Sequence, residues 1–312
     1  MPSSKNNHPP FGDVCFQKDV YLTLKDGTRL AADIYKPSGG GPFPVLLMRQ
    51  PYGKDIASTV VYAPPVYFAR RGFLVVIQDV RGRGKSGGTF QPFNQEQEDG
   101  LETIAWAADL PDSNGRVGMY GFSYQGYTQL APSLAQPEPL KAIAPHMTAF
   151  DLYSGWFYRD GLLQLASTLG WGNQMLREDA WRSRERKAYD ALEASWGNPS
   201  ALSRQLPVSD CQPLCREDAP SYVQDWLSHE QYDSFWKPLD ILAQADQIRI
   251  PAFHLSGWYD FYLRGSLDGY RALHKKYPDN QYLVAGPWVH IPWGDRAHVG
   301  EAWGPAAAID TD

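Results

Sequence analysis

A serine, an aspartate and a histidine occur in this chain in an order that suits nucleophilic catalysis. Ser123 lies in the run Gly-Phe-Ser-Tyr-Gln-Gly, residues 121–126, between an apolar segment of strand length and a helix-compatible segment. This is the context of a nucleophile elbow, whose sharp turn exposes the Ser Oγ beside a helix N-terminus. The general pattern is Gly-x-Ser-x-Gly, but Gln125 stands at its second glycine position. The pattern alone therefore also fits an ordinary serine turn before a helix.

Asp260 and His290 are the candidates for the acid and base that a nucleophilic serine requires. Asp260 follows Ser123 by 137 residues, and His290 follows Asp260 by 30. Each comes directly after a strand-like segment, which places both at the carboxyl edge of a parallel sheet, where ligands bind. Asp260 could also merely cap the helix that follows it, a role that is compatible with the catalytic one. His298 is the nearest alternative to His290 as the base.

The elements that must position these residues begin with an antiparallel hairpin. Residues 20–24 and 29–35 alternate apolar and polar side chains around Asp26-Gly27, a dipeptide suited to a tight turn. Continuous apolar runs of strand length follow, and runs of this kind indicate a parallel sheet covered on both faces. They are residues 44–48, 73–78, 116–120, 140–144, 250–255 and 281–285.

Helix-compatible segments alternate with these strands, at residues 61–71, 95–109, 124–135 and 262–276. The alternation predicts an α/β fold. It stops in a Trp-rich, helix-compatible stretch that we interpret as an inserted helical cap. The predicted organisation is a core at 17–149, a cap at 150–246 and the remainder of the core at 247–312.

The composition excludes several classes of protein. The 312 residues are 43% hydrophobic and carry a net charge of −6, so the chain has ample material for a core and lacks the basic excess of a nucleic-acid binder. No apolar run approaches a membrane span, and no secretory signal is evident, so we expect a cytoplasmic protein that does not bind membranes. Three cysteines without a second ligand pair predict free thiols and no metal site.

The loop after the strand at 73–78 contains a pattern that resembles a nucleotide site. Gly82-x-Gly84-x-x-Gly87 matches a dinucleotide fingerprint, but the sequence Gly-Thr-Phe-Gln-Pro follows it instead of a helix. Asp79 stands where a phosphate-binding loop would need its first glycine. We therefore predict no cofactor.

Five motifs in order resemble those of the X-Pro dipeptidyl-peptidase-like hydrolases, also called the CocE/NonD family. They are Arg-Gln-Pro-Tyr at 49–52, Gln-Asp-Val-Arg-Gly-Arg-Gly-Lys-Ser-Gly at 78–87, the elbow, Gly-Trp-Tyr-Asp at 257–260 and Gly-Pro-Trp-Val-His at 286–290. The resemblance covers about residues 20–304. The family places the second glycine of its elbow where Gly126 stands, and it implies an α/β-hydrolase fold with a helical cap.

The resemblance also implies roles for individual residues. Ser123 would be the nucleophile, His290 the base and Asp260 the residue that orients the base. Tyr52 aligns with a phenolic oxyanion donor, and the backbone N–H of Tyr124 would be the second donor.

By the same resemblance, cap residues would line an acyl pocket: Trp156, Phe157, Tyr158 and Trp171. Aromatic residues at this density also serve plain packing. The α-amino acid ester hydrolases carry acids two and three residues after the catalytic Asp, where this chain has Tyr262 and Leu263. The substitution disfavours a charged α-amino substrate and favours an apolar or aromatic acyl group beside Tyr262.

We therefore expect a serine hydrolase that cleaves small-molecule carboxylic esters or activated amides, with a homo-oligomer left open. X-prolyl dipeptidyl-peptidase activity is an alternative, although no amine-binding carboxylate is identifiable. A catalytically inactive fragment or binding module on a hydrolase fold is another. The sequence ends 22 residues after His290, whereas family members usually continue into a helix and a C-terminal jelly roll. We expect the jelly roll to be absent from this chain and apolar sheet surface to be left uncovered.

Overall fold

The computed structural model describes residues 13–55, 61–216, 221–291, 293, 295 and 297–309. The chain forms two compact units. One comprises Met1–Phe150 with Ile241–Asp312, and the other comprises Asp151–Asp240. We refer to them as the sheet unit and the helical unit.

One large sheet dominates the sheet unit. Among the described residues its eight strands lie in the order β1-β2-β4-β3-β5-β6-β9-β10. The pairs β1–β2 and β2–β4 are antiparallel, and the others are parallel. The strands of the chain are β1 (Val14–Thr23), β2 (Arg29–Pro37), β3 (Phe43–Gln50), β4 (Leu74–Asp79), β5 (Ser113–Phe122), β6 (Leu140–His146), β7 (Tyr158–Arg159), β8 (Leu162–Leu163), β9 (Ala252–Gly257), β10 (Gln281–Gly286), β11 (Ala297–His298) and β12 (Glu301–Ala302).

Helices cover this sheet and form most of the helical unit. The α-helices are α1 (Pro65–Ala69), α2 (Glu96–Ala108), α3 (Tyr124–Ser133), α4 (Leu165–Arg182), α5 (Arg186–Trp196), α6 (Pro199–Leu202), α7 (Tyr222–Ser228) and α8 (Leu263–Lys276). Charges match the helix dipoles, since Glu96, Glu98 and Asp99 lie in the first turn of α2. The last turn of α8 carries His274, Lys275 and Lys276.

The predicted α/β-hydrolase fold is confirmed. Every residue of β4 is buried, as an unbroken apolar strand in a sheet covered on both faces requires. Two predicted helices are shorter than expected. The segment predicted at 61–71 is helical only from Pro65, because proline suits a first helical turn better than an interior. The segment predicted at 124–135 ends at Ser133, just after Pro132.

The helical unit has an aromatic core. Phe157 and Trp226 pack with ring centroids 4.4 Å apart, and Trp171 stacks on Trp226 at 5.2 Å. Phe157, Trp226 and Trp236 are almost fully buried. Near the end of the described part of the chain, Pro305–Ala307 form a short 3₁₀ turn, and residues 310–312 lie outside the described part.

Candidate active site

Ser123 occupies a strained turn between β5 and α3. Its φ of 60° and ψ of −128° lie outside the regions that an ordinary L-residue prefers, as in a nucleophile elbow. Its backbone N–H donates to the carbonyl oxygens of His146 and Met147, at 3.0 and 3.2 Å. Ser123 makes no side-chain capping bond to α3. The strand therefore ends by presenting this hydroxyl at the carboxyl edge of the sheet.

The glycine that follows the elbow lets α3 approach the sheet closely. A Cβ on Gly126 would come within 2.6 Å of Thr148 Cγ2, a separation that real side chains do not adopt. The glycine requirement thus falls on residue 126, which explains how Gln125 is accommodated. The Gln125 side chain turns back and accepts a hydrogen bond from the Phe122 N–H at 3.2 Å.

Asp260 and His290 are brought together at the ends of two adjacent strands. Asp260 follows β9, His290 follows β10, and His290 Nδ1 lies 2.6 Å from Asp260 Oδ2. The Asp260 side chain is completely buried, whereas that of His290 is 17% exposed. The other carboxylate oxygen of Asp260 accepts the Tyr262 N–H at 2.5 Å. Both oxygens therefore have fixed partners, and the imidazole presents its Nε2 away from the carboxylate.

Asp260 is not the N-cap residue of the next helix, although its carboxylate accepts the backbone N–H of the residue that is. The N-cap residue of α8 is Tyr262, and it has no side-chain cap. The rival histidine, His298, is buried in β11, and its Nε2 has no hydrogen-bond partner among the residues that the structure describes. His290 is therefore the histidine whose ring nitrogen meets Asp260.

The imidazole of His290 also packs against the nucleophile strand. Its ring centroid lies 5.3 Å from that of Phe122, the residue directly before Ser123. Phe261 and Tyr262 contact the same imidazole, with centroids at 4.6 and 5.2 Å. These contacts bring the histidine to the elbow side of the sheet edge.

Tyr52 lies in the turn that leaves β3, and its N–H donates to Gln50 Oε1 at 2.7 Å. Its side chain lies near Tyr262: burial raises the pKa of the Tyr262 hydroxyl well above its usual value, and Tyr52 and Asp260 add to the shift. The structure therefore places Tyr52, Tyr262 and Asp260 in one neighbourhood. Phe261 lies there too, with its ring against Tyr262 and His290. Its position in the sequence, next to a candidate catalytic Asp, was the one signal that could have indicated it.

Tyr124 begins α3, directly after Ser123, and its side chain points into the protein. Its hydroxyl donates to Glu96 Oε1 at 2.8 Å and accepts the Phe93 N–H at 2.9 Å. Burial, followed by the negative charge of Glu96, raises the pKa of this phenol well above its usual value. The phenol therefore anchors the helix start, and any direct role in a reaction belongs to the Tyr124 backbone.

Trp156, Phe157 and Trp171 lie in the helical unit and pack on one another. Trp156 and Trp171 have ring centroids 5.8 Å apart, and those of Phe157 and Trp171 lie 6.3 Å apart. Trp156 and Phe157 are buried. These contacts are those of a core, and an acyl-pocket role for the three residues stays a prediction.

His146 is a second imidazole beside the elbow, and its environment keeps it neutral. Its Nδ1 lies 2.8 Å from the Tyr62 hydroxyl. Burial lowers its pKa to about 3. Within the described ranges no three His, Cys, Asp or Glu side chains cluster as metal ligands would, and no helix is long and apolar enough to cross a membrane.

Comparison with known proteins identifies a family. A model of the X-Pro dipeptidyl-peptidase (S15) family matches residues 26–292. A cocaine esterase from Rhodococcus sp. (strain MB1 Bresler) is 33% identical over 288 residues, which cover 89% of this chain and 50% of that protein. The chain thus spans about half the length of this relative.

Solved structures share the fold. A CocE/NonD family hydrolase from Staphylococcus aureus superposes with a TM-score of 0.66 at 24% identity, covering 87% of this chain and 46% of that one. An α-amino acid ester hydrolase gives a TM-score of 0.67 at 21% identity, covering 93% and 51%. At these identities the likeness concerns the fold alone.

Proposed function

We propose, from the premise that this chain belongs to the X-Pro dipeptidyl-peptidase-like (CocE/NonD) family, that it is a serine hydrolase of carboxylic esters or activated amides. The observation that carries the proposal is the 2.6 Å contact between Asp260 and His290 at the sheet edge where the Ser123 elbow ends β5. Nucleophile, orienting acid and base then follow one another in the chain order of this fold.

In the proposed reaction the Ser123 Oγ attacks the acyl carbonyl carbon while His290 Nε2 accepts the hydroxyl proton. Asp260 holds the opposite ring nitrogen, which selects the tautomer with Nε2 free to act as base. The tetrahedral intermediate collapses to an acyl-enzyme, and His290 returns its proton to the leaving alcohol or amine. A water molecule then attacks the acyl-enzyme with His290 again as base, releasing the acid and restoring Ser123.

The negative oxygen of the intermediate would accept hydrogen bonds from the Tyr52 hydroxyl and the Tyr124 backbone N–H. Removing one such donor typically costs about 2.7–4 kcal/mol of transition-state stabilisation. The Tyr124 N–H stands at the first turn of α3, where the helix dipole also favours negative charge. The buried bond from the Tyr124 phenol to Glu96 holds that turn in place.

An uncharged acyl group is the proposed substrate class. Aromatic rings surround the base, with Phe261 partly exposed and Tyr262 buried. Tyr262 and Leu263 stand two and three residues after Asp260, where the α-amino acid ester hydrolases carry the acids that hold the substrate's ammonium group. The Rhodococcus relative is an esterase by name, which supports ester cleavage for this chain.

Covalent labelling tests the proposal directly, since only an activated serine reacts with an organophosphate. Diisopropyl fluorophosphate should label wild-type protein at Ser123, as mapped by peptide mass spectrometry, and should leave Ser123→Ala unlabelled. Ser256→Ala is the matched control, because Ser256 is a buried serine of β9, and it should label normally. Absence of label on the folded wild type would refute the hydrolase and favour an inactive module.

A substrate panel separates the reaction classes. 4-Nitrophenyl butyrate and 4-nitrophenyl benzoate should be cleaved faster than the methyl ester of phenylglycine, which carries an ammonium group. Gly-Pro-4-nitroanilide reports X-prolyl dipeptide release. Faster cleavage of this anilide than of both nitrophenyl esters would replace ester hydrolysis by the peptidase alternative.

A further inference from the structure

The turn that carries Tyr52 leaves β3 beside the end of β4. Gln50, the last residue of β3, is the register partner of Asp79, the last residue of β4. Both side chains are almost completely buried, at 0% and 1% exposure. Buried polar groups need hydrogen-bond partners, so their bonds fix the local geometry.

One oxygen of Asp79 holds both ends of this turn. Oδ1 accepts the Gln50 Nε2–H at 3.1 Å and the Lys54 backbone N–H at 2.7 Å. Gln50 in turn accepts the Tyr52 N–H through Oε1 at 2.7 Å. A continuous path of hydrogen bonds therefore runs from the Asp79 carboxylate to the backbone of Tyr52.

The glycine-rich loop at 82–87 encloses the same carboxylate. The Lys85 N–H donates to Asp79 Oδ2 at 3.0 Å, and the Ser86 Oγ donates to the Asp79 carbonyl at 2.6 Å. A Cβ on Gly84 would lie 2.1 Å from Asp79 Oδ2, so the close approach of this loop requires glycine. The loop that mimics a nucleotide fingerprint serves instead to surround Asp79 and exclude water, which strengthens its hydrogen bonds.

The lysine at the end of the turn gives a second anchor. Lys54 Nζ is buried and lies 2.8 Å from Asp33 Oδ1 and 2.7 Å from Asp19 Oδ1. These contacts hold the end of the turn to the β1–β2 hairpin. The segment between Gln50 and Lys54, with Tyr52 at its centre, is thus tied at both ends.

We propose that Asp79 and Gln50 are positioning residues for the Tyr52 hydroxyl. The inference rests on the proposed oxyanion role of Tyr52 and deepens it. A donor must lie within a fraction of an ångström of its working position, and a misplacement of about 1 Å can cost about 10²-fold in rate. Asp79 and Gln50 act through Tyr52 and do not contact the reacting atoms.

A double-mutant cycle with Tyr52→Phe tests this inference, with 4-nitrophenyl butyrate as the probe. Gln50→Met removes the bridge with little change in volume and should lower kcat by about 10-fold to 10²-fold while KM changes little. In the Tyr52→Phe background the same change should lower kcat by less than about 3-fold, because the group it positions is already gone. An equal factor in both backgrounds would show a merely structural role.

The matched control is Gln281→Met. Gln281, the first residue of β10, is also buried, and its side chain bonds to the Ile250 carbonyl and to His254 of β9. The Gln281→Met variant should have a lower Tm, as Gln50→Met does, but its kcat should change by less than about 3-fold. That factor should be the same with and without Tyr52→Phe. The proposal would be overturned if the effects of Gln281→Met and Tyr52→Phe on kcat were as far from additive as those of Gln50→Met and Tyr52→Phe.

Two substitutions of Asp79, one conservative and one not, test its role as a hydrogen-bond acceptor. Asp79→Asn keeps an oxygen for Gln50 and Lys54, so it should retain kcat within about 10-fold, whereas Asp79→Ala should fall at least as far as Gln50→Met. Equal losses for Asn and Ala would overturn the proposal. Should Gln50→Met fail to fold, Asp79→Ala carries the cycle with Tyr52→Phe under the same criterion. An unchanged kcat in Tyr52→Phe alone would remove the oxyanion role and this inference, while Ser123 labelling would still stand.

Discussion

The two sides of the candidate active site are built differently. The nucleophile side comprises the carboxyl ends of β3, β4 and β5, with Tyr52 and Ser123. Buried polar residues support it: Arg49, Gln50, Asp79 and Glu96. The base side comprises the carboxyl ends of β9 and β10, with Asp260 and His290. Its neighbours include side chains that are 37–50% exposed: Phe261, Ile291 and Trp258.

Position in the sheet explains this difference. β3, β4 and β5 are central strands, so polar groups at their ends are desolvated and must pair with one another. β10 is an edge strand, and His290 after it is held by one buried carboxylate and by ring packing. Substitutions of the buried polar residues that support the nucleophile side should therefore cost both stability and activity. Substitutions at His290 should cost activity with little loss of stability.

The largest effect is expected at the base. His290→Ala should lower kcat/KM for 4-nitrophenyl butyrate by 10³-fold or more, roughly the loss that removal of one triad member produces. Because the side chain is partly exposed, Tm should change little. His298→Ala is the matched control and should keep most of the activity. If His298→Ala were inactive and His290→Ala were tolerated, the base would be His298 and the assignment of His290 would be wrong.

The next effect concerns stability on the nucleophile side. Glu96 and Arg49 form a buried ion pair at 2.8 Å, with side chains 4% and 0% exposed. Glu96→Leu leaves the guanidinium charge buried and should lower the free energy of unfolding by about 3–5 kcal/mol in urea denaturation. Glu138→Leu removes an exposed ion pair to Lys141 and should cost at most about 1 kcal/mol. Similar losses for the two variants would show that burial does not make the Glu96–Arg49 pair more important for stability than the exposed Glu138–Lys141 pair.

Tyr52→Phe should give a purely catalytic loss. Deleting the phenol hydroxyl removes one proposed oxyanion donor, so kcat should fall by roughly 10²–10³. KM should change little, because the bond strengthens only in the transition state. Steady-state kinetics with 4-nitrophenyl butyrate measure both constants. A rise in KM at constant kcat would instead indicate ground-state substrate binding by Tyr52.

The smallest effect is a pH dependence of stability from His146. Its folded-state pKa of about 3 lies below its ordinary value of 6.5 because burial disfavours the charged form. Between pH 6.5 and 3 the His146 imidazole is protonated in the unfolded chain but neutral in the folded chain. The free energy of unfolding therefore falls as the pH drops toward 3. His146→Asn should reduce the slope of unfolding free energy between pH 4 and 6 by about 1.4 kcal/mol per pH unit. An unchanged slope would show that His146 is protonated in the folded protein.

Much of the architecture could be read from local patterns. Apolar runs at 73–78 and 250–255 predicted β4 and β9, because strands covered on both faces need no polar alternation. The Asp-Gly turn predicted the first hairpin, which the structure contains. Helix ends were less predictable: the prolines at 64, 65 and 132 shift helix boundaries by a few residues, and which turn a proline enters depends on packing.

The sequence by itself determined the alternation of strands and helices in the sheet unit, the position of Ser123 between a strand and a helix, and the choice of Asp260 and His290 as candidates, since each depends on residue type and near neighbours. Only the tertiary structure decided that the Gln50 side chain donates a hydrogen bond to Asp79 and that Phe261 packs on His290. It also decided that the loop at Gly84 passes close to the buried carboxylate of Asp79. These contacts depend on the register of parallel strands separated by a crossover. A crossover connection has no tight turn to fix the register of the two strands, so the packing of the sheet decides it.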